Sequence, residues 1–311
     1  MTILVVGSIA LDSVETPHAK AERVLGGSAV FFSGAATLLS NVQVVGVVGQ
    51  DYPMAELDFL RERGADLSGV EQADGSSFFW AGRYGEDFNT RETLDTQLGV
   101  FADFQPRIPE RFQDAKFVFL GNIAPELQAD VLHQVRAPSV VVCDTMNYWI
   151  EGSREALLHL LERVDILMVN DSEAKLLAGD HNLVRASRWI REHGPSMVVI
   201  KKGEHGAVLF AEDWSFFAPG YPLEAIFDPT GAGDSFAGGF LGYLAQTVNP
   251  TQADYRRAMI YGSVAGSFAV ESFSIDRFRE LSTDDVLKRV VEFREMTSFE
   301  LDLDAGKIAN D

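Results

Sequence analysis

Residues 228–240 combine residue types and spacing that are suited to phosphate chemistry. The segment reads Asp-Pro-Thr-Gly-Ala-Gly-Asp-Ser-Phe-Ala-Gly-Gly-Phe. Gly231, Ala232 and Gly233 are small enough for bare backbone N–H groups to converge on an anion, and the apolar residues after them recur at helical spacing. Unpaired N–H groups and the positive end of a helix dipole attract an anion from the same direction. The pattern therefore predicts an anion site at residues 231–233.

Asp234 stands at the mouth of this predicted site, where a carboxylate repels a phosphate and therefore needs a reason to be present. Taking a proton from a hydroxyl group that attacks the phosphorus is such a reason. The alternative is a glycine-rich turn in which Asp234 only caps the helix. The preceding Asp-Pro-Thr and the small residues of the following helix favour the catalytic interpretation.

The thirteen-residue segment resembles the C-terminal signature of the ribokinase-like (PfkB) family of sugar and nucleoside kinases. The resemblance extends over about residues 2–290. It implies that Asp234 is the catalytic base, and that the amides of Gly231, Ala232 and Gly233 form the anion hole for the transferred phosphoryl group.

Two further motifs match positions at which this family holds cations. Asn170-Asp171-Ser172-Glu173 matches the Asn-x-x-Glu motif, whose Asn and Glu organise Mg²⁺ and its waters around the nucleotide phosphates. An amide and a carboxylate three residues apart can face one hard cation, although a helix cap would look the same. The resemblance also implies that Asp228 and Thr230 help to hold a monovalent cation. ATP, Mg²⁺ and K⁺ are therefore the expected cofactors.

The resemblance assigns four residues to ATP binding. Lys201, Gly203 and Gly206 lie where the family has a glycine-rich strand and turn that hold ATP. Lys201 could reach the β- or γ-phosphate as a point charge, and a solvated surface lysine is the alternative. Ser267 belongs to a run of small residues that matches the family's shallow adenine pocket, although close helix packing demands the same composition.

Five residues are candidates for binding the acceptor. Asp12 matches the family's sugar-binding Asp, and Gly26 and Gly27 match its Gly-Gly turn. Phe31 stands where most sugar kinases have Asn, and the loss of a polar partner of this kind changes discrimination strongly. Arg91 is a polar candidate on a predicted lid. We expect a small sugar as acceptor, with a nucleoside as the alternative.

Short apolar runs predict strands that are buried on both faces. They are Ile3–Val6, Val44–Val48, Phe117–Leu120, Val140–Cys143, Ile166–Val169 and Met197–Ile200. Amphipathic stretches between the later runs predict helices at Glu126–Arg136, Arg154–Arg163 and Leu183–His193. This alternation predicts a three-layer α/β/α fold with a mainly parallel sheet. Polar residues follow three of the strands, so we expect them to line one crevice: Asp144, Asn170, Lys201 and Lys202.

The domain organisation is predicted to be one kinase domain over residues 1–295. Residues 76–104 have no helical period and read as a hairpin, which residues 12–25 could join. In the family, these segments form the β-sheet lid over the sugar site. We expect this lid to mediate a homodimer by burying aromatic residues. Residues 296–311 are predicted to be an acidic C-terminal tail.

Composition narrows the range of partners and compartments. The chain has a formal net charge of −20 from 26 basic and 46 acidic residues, which disfavours nucleic acids and anionic membranes as partners. Cys143 is the only cysteine, so no disulfide can form within the chain. The chain begins without a signal-peptide pattern and has no apolar run long enough for a membrane span. We therefore expect a cytoplasmic protein.

Other functional classes fit the sequence less well. The chain has no GxxxxGK[ST] sequence, which excludes a Walker A P-loop. A dinucleotide-binding site is disfavoured because Phe236 stands where its third glycine belongs, and because the motif lies far from the first strand. A binding protein without turnover remains an alternative, but it would have no use for a base such as Asp234 beside a phosphate site.

Overall fold

The computed structural model describes residues 1–88 and 90–299. Within these residues, 13 strands form a nine-stranded sheet and a separate four-stranded sheet. The strands in chain order are β1 (Ile3–Val6), β2 (Ala10–Glu15), β3 (Lys20–Gly26), β4 (Val42–Val48), β5 (Asp66–Gln72), β6 (Phe78–Tyr84), β7 (Arg91–Gln97), β8 (Phe117–Leu120), β9 (Val140–Asp144), β10 (Ile166–Asn170), β11 (Met197–Lys201), β12 (Ala207–Phe210) and β13 (Ser215–Ala218).

The described residues also contain 11 α-helices. These are α1 (Ser28–Ala36), α2 (Asp58–Glu62), α3 (Pro125–Gln134), α4 (Asn147–Gly152), α5 (Arg154–Leu161), α6 (Asp171–Ala178), α7 (Leu183–Arg191), α8 (Ala232–Leu244), α9 (Gln252–Ala269), α10 (Asp276–Glu280) and α11 (Thr283–Thr297). Short 3-10 helices cover Met54–Leu57, Gly99–Asp103, Glu110–Phe112 and Gly203–His205.

The nine-stranded sheet has the order β13-β12-β11-β10-β9-β8-β1-β4-β5. The seven strands from β11 to β5 are parallel, and β12 and β13 continue the sheet as antiparallel strands. This arrangement confirms the predicted mainly parallel sheet. The sequence analysis did not predict β5, β12 or β13.

Alternate residues of the central strands point to opposite faces of the sheet, as the strand period requires. Ile3 and Val5 join a buried cluster that includes Phe240 of α8, whereas Leu4 and Val6 join a second cluster with helices α3, α5 and α7. Each face is therefore covered by helices, which confirms the three-layer α/β/α class.

The small sheet has the order β3-β2-β6-β7 and is built from the two segments predicted to form the lid. β6 and β7 pair as an antiparallel hairpin, and β2 joins β6 in a parallel pair. We call this four-stranded sheet the lid. No helix of the described residues is both long and apolar enough to span a membrane.

The C-terminal end differs from the predicted tail in one respect. Helix α11 continues to Thr297, so the first two residues of the segment 296–311 belong to a helix. Residues 300–311 lie outside the described residues.

Candidate active site

Helix α8 begins at the predicted anion site with Gly231 as its N-cap. Gly231 has φ 72°, and a Cβ there would lie 2.2 Å from the ring of Phe31. A Cβ on Gly233 would lie 2.8 Å from Lys201 Nζ. Only glycine tolerates the left-handed conformation and the close ring at position 231. At position 233, the absence of a side chain allows the Lys201 ammonium group to lie against the first turn of α8.

The amides of this loop differ in their availability. The N–H of Ala232 donates to the Pro229 carbonyl at 3.2 Å. The N–H of Gly233 lies in the first helical turn, where no intrahelical acceptor exists. In this conformation Gly233 is therefore a better-placed donor to an anion than Ala232, although the sequence analysis assigned them the same role.

Lys201 and Asp144 form an ion pair inside the crevice. Lys201 Nζ lies 3.3 Å from Asp144 Oδ2, and the two side chains are 16% and 9% exposed. Burial disfavours the charged ammonium, but Asp144, Glu173 and Asp234 together hold the pKa of Lys201 above its usual value. Lys201 is therefore not the solvated surface lysine that the sequence left as an alternative.

Asp234 lies in the first turn of α8 within the field of these same groups. Burial, reinforced by the negative charge of Asp144, raises the pKa of Asp234 well above its usual range, while Lys201 opposes the shift. A carboxylate with a raised pKa is a stronger base than an exposed one. Asp144 was predicted only as one of four polar residues at strand ends, and its pairing with Lys201 was not predicted.

Asn170 and Glu173 form a reciprocal helix cap. The Asn170 N–H donates to Glu173 Oε2 at 2.8 Å, and the Glu173 N–H donates to Asn170 Oδ1 at 2.8 Å. Burial, with Asp144 nearby, raises the pKa of Glu173 to about 7, and Lys201 acts in the opposite direction. The helix cap that the sequence left open as an alternative is thus present. Its carboxylate, Glu173, also interacts electrostatically with Asp144 and Lys201. Within the described residues, no cluster of three or more His, Cys, Asp or Glu side chains could hold a metal.

The other predicted ATP-binding residues lie farther along the chain. Gly203 begins a 3-10 turn that Gly206 closes, with the Lys202 N–H donating to the Gly206 carbonyl at 2.7 Å. The hydroxyl of Ser267 donates to the Val264 carbonyl at 2.7 Å and accepts from Arg289 Nη1 at 3.0 Å. The Ser267 hydroxyl is therefore already engaged by protein groups.

Asp12 lies near the lid and within the electrostatic influence of two other carboxylates, Asp228 and Asp234. Asp12 is 5% exposed, and a Cβ on Gly26 would lie 2.0 Å from Asp12 Oδ2. Burial, together with the charges of Asp228 and Asp234, raises the pKa of Asp12 to about 8, although Gly27 donates a backbone hydrogen bond to it. The structure thus brings Asp12, both glycines of the predicted turn and Asp234 into one region.

Asp228 and Thr230 lie beside this region. The Thr230 N–H donates to Asp228 Oδ1 at 2.8 Å, and Thr230 Oγ1 lies 3.1 Å from the phenol oxygen of Tyr84. Burial raises the pKa of Asp228, and the hydrogen bonds from Thr230 oppose that shift. Tyr84 belongs to the lid, and the sequence analysis did not identify it as a contact of the signature motif.

The two remaining acceptor candidates have different environments. Phe31 is 2% exposed and packs under Gly231, so little of its surface is available to a ligand. Arg91 begins β7, and its guanidinium lies 5.4 Å from the ring centroid of Trp80. The charge of Arg91 also favours ionisation of Glu173 weakly, although Arg91 itself is exposed.

A helix start with a free amide, a buried lysine and a nearby carboxylate are the kinds of group that transfer of a phosphoryl group to an alcohol requires. The chain belongs to the pfkB family of carbohydrate kinases, whose model matches residues 3–278.

Related proteins agree with this assignment. The chain is 31% identical over 246 residues to a cytidine kinase of Thermococcus kodakarensis, covering 78% of this chain and 87% of that protein. It is also similar to a nucleoside kinase of Methanocaldococcus jannaschii, with 22% identity over 84% of this chain and 83% of the relative. In fold, it is similar to the Burkholderia thailandensis nucleoside kinase in complex with inosine, with a TM-score of 0.75, 20% identity, and 96% and 100% of the two chains covered.

Proposed function

We propose that the protein is an ATP- and Mg²⁺-dependent kinase that phosphorylates the hydroxymethyl group of a nucleoside. The observation that carries the proposal is the position of Lys201 Nζ against Gly233, in the same helical turn as Asp234. A cation and a free amide in the same turn as a carboxylate support the proposal, because in-line transfer of a phosphoryl group to a hydroxyl requires groups of these three kinds.

In this mechanism, Asp234 accepts the proton of the attacking hydroxyl while its burial keeps it basic. The amides of Gly231 and Gly233 and the Lys201 ammonium stabilise the charge on the transferred phosphoryl group. When ATP binds, its phosphate oxygens would replace Asp144 as the partner of Lys201. The ammonium group would therefore be paired with negative charge both before and after ATP binds.

Mg²⁺ fits the donor side of the site. Its candidate protein partners are the side-chain oxygen atoms of Asn170 and Glu173, which the helix cap holds at the start of α6, and Mg²⁺ prefers oxygen ligands while keeping several waters and binding substrate phosphates. When bound, it would neutralise charge on the phosphates. A monovalent cation beside Asp228 and Thr230, as the sequence suggests for K⁺, remains a separate proposal, supported by the adjacent buried carboxylate.

A neutral acceptor rich in hydroxyl groups suits the lid side of the crevice. Burial and the charges of Asp228 and Asp234 make a negative charge on Asp12 unfavourable, and the same environment disfavours a sugar phosphate. Both a free sugar and a nucleoside satisfy this condition. Similarity to the cytidine kinase over most of both chains favours the nucleoside, whereas the sequence analysis favoured the sugar.

A screen of ADP release with Mg²⁺-ATP separates these acceptors. Cytidine, uridine, adenosine and inosine are compared with ribose, deoxyribose, fructose and their phosphates. We expect turnover with at least one nucleoside and none with the phosphates. Turnover confined to free sugars would reject the nucleoside, and no turnover by wild type with any acceptor, while ATP binds, would reject the kinase proposal.

Two features outside the crevice support further proposals. Every residue of β7 is exposed at the edge of the lid, and the large apolar side chains of Leu94, within β7, and Leu98, just after it, are exposed. An unpaired edge strand can pair with a copy of itself, which supports a homodimer through the lid. The single cysteine, Cys143, is buried, which is consistent with the cytoplasmic location that we propose.

A further inference from the structure

Tyr84 connects the lid to the segment that carries the proposed base. Its phenol oxygen lies 3.1 Å from Thr230 Oγ1, although 146 residues separate the two in sequence. Tyr84 is the last residue of β6 and is 8% exposed, whereas all residues of the paired strand β7 are exposed. The end of β6 is therefore a point at which the lid meets the rest of the protein.

Thr230 transmits this contact to the anion loop. Its N–H donates to Asp228 Oδ1 at 2.8 Å, which fixes the turn immediately before Gly231. Gly231 in turn lies against the ring of Phe31, too close for any side chain. The turn is thus held by Tyr84 from the lid and by Phe31 from the core.

We propose that Tyr84 is a positioning residue whose hydrogen bond to Thr230 couples closure of the lid to placement of the loop that begins α8. The inference rests on the kinase function proposed above. A kinase must keep water away from the phosphoryl group, and a lid that closes over the acceptor does so. Because the same closure orients the loop, the amides and Asp234 become competent when the acceptor is covered.

Tyr84→Phe removes only the hydroxyl, and Thr230→Val removes its partner while keeping the side-chain shape. Loss of one hydrogen bond at this joint should lower kcat about fivefold to tenfold, raise the acceptor KM, and leave the ATP KM unchanged. The amount of ATP hydrolysed by water for each acceptor molecule phosphorylated should rise in both variants. The double variant should lose no more than the larger single effect, because both substitutions break one bond. Fully additive losses would overturn the coupling.

Hydrogen exchange on the full-length protein without ligands tests the joint independently of activity. Amides of residues 78–84 and 228–233 should exchange faster in Tyr84→Phe and in Thr230→Val than in wild type. Tyr255→Phe is the matched control, since Tyr255 lies on α9 against Phe240, and it should change neither exchange nor kinetics. Unchanged exchange in both variants would overturn the inference. If the two variants exchange faster than wild type but the wild-type protein phosphorylates no acceptor, the coupling between Tyr84 and Thr230 is supported and the kinase function is rejected.

Discussion

Replacement of Asp12 by asparagine is expected to stabilise the fold while weakening acceptor binding. Burial, with the charges of Asp228 and Asp234, raises the pKa of Asp12 to about 8. The folded state therefore holds this proton more tightly than the unfolded state does. A carboxyl of this kind lowers the free energy of unfolding progressively as pH rises from about 4 to about 8.

The size of the effect follows from the two pKa values. The difference between about 8 and the ordinary value of 3.8 corresponds to at most about 6 kcal/mol above pH 8, at about 1.4 kcal/mol for each factor of ten. Water entry and local rearrangement reduce this figure. We expect the unfolding temperature of Asp12→Asn to match that of wild type near pH 4 and to exceed it by about 5 to 10 °C at pH 8.

Thermal unfolding between pH 4 and pH 8.5 measures this difference directly. Asp51→Asn is the control with opposite sign: partial burial disfavours the Asp51 charge, but hydrogen bonds from Ser77 and Arg23 hold its pKa below the usual value. Its contribution to stability is fully present above about pH 5, so Asp51→Asn should be less stable than wild type by a constant amount from pH 5 to 8. The acceptor KM of Asp12→Asn should rise about tenfold or more. If the difference in unfolding temperature between Asp12→Asn and wild type stays the same from pH 4 to pH 8.5, the reasoning is refuted.

The remaining predictions concern the helix start and the lid. Asp234→Asn should lower turnover by about 10²-fold or more with little change in ATP affinity, and a parental rate would exclude Asp234 as the base. Gly231→Ala should lower both stability and turnover, because φ is 72° and the Phe31 ring lies 2.2 Å from the added carbon. Gly233→Ala should have a milder effect, because the flexible end of Lys201 can move away from the added carbon. Thermal unfolding followed by circular dichroism and initial rates compare the two variants. Leu94→Lys should convert a homodimer into a monomer in light scattering, and a monomeric wild type would eliminate the lid dimer.

The sequence predicted the parts of the fold that depend on local patterns. Continuous apolar runs such as Ile3–Val6 and Phe117–Leu120 were placed with the correct bounds, because strands buried on both faces contain few polar residues. The antiparallel strands β12 and β13 were missed. Both strands have only four residues, and β13, which forms the edge of the sheet, includes exposed residues and so carries a weak signal.

The candidate site was predictable as a motif but not as a set of contacts. The glycines and Asp234 are contiguous, so their chemistry could be inferred from spacing. The pair Lys201 and Asp144 is separated by 57 residues, and the hydrogen bond that joins Thr230 to Tyr84 spans 146. Such contacts depend on which strands become neighbours and on where the lid closes. Neither is encoded in a short stretch of residues.

The distribution of charge in the proposed site differs between the end assigned to the nucleotide and the end assigned to the acceptor. At the acceptor end, burial and the charges of Asp228 and Asp234 raise the pKa of Asp12, so a further negative charge such as a phosphate is unfavourable there. Lys201 lies at the other end, held charged by Asp144, Glu173 and Asp234. In the proposed reaction, a nucleotide would be attracted to the start of α8, and a neutral alcohol would be tolerated beyond it. Asp234 interacts with groups at both ends, which suits its proposed role as the base. The net charge of −20 does not prevent ATP binding, because this local gradient determines where phosphates can lie.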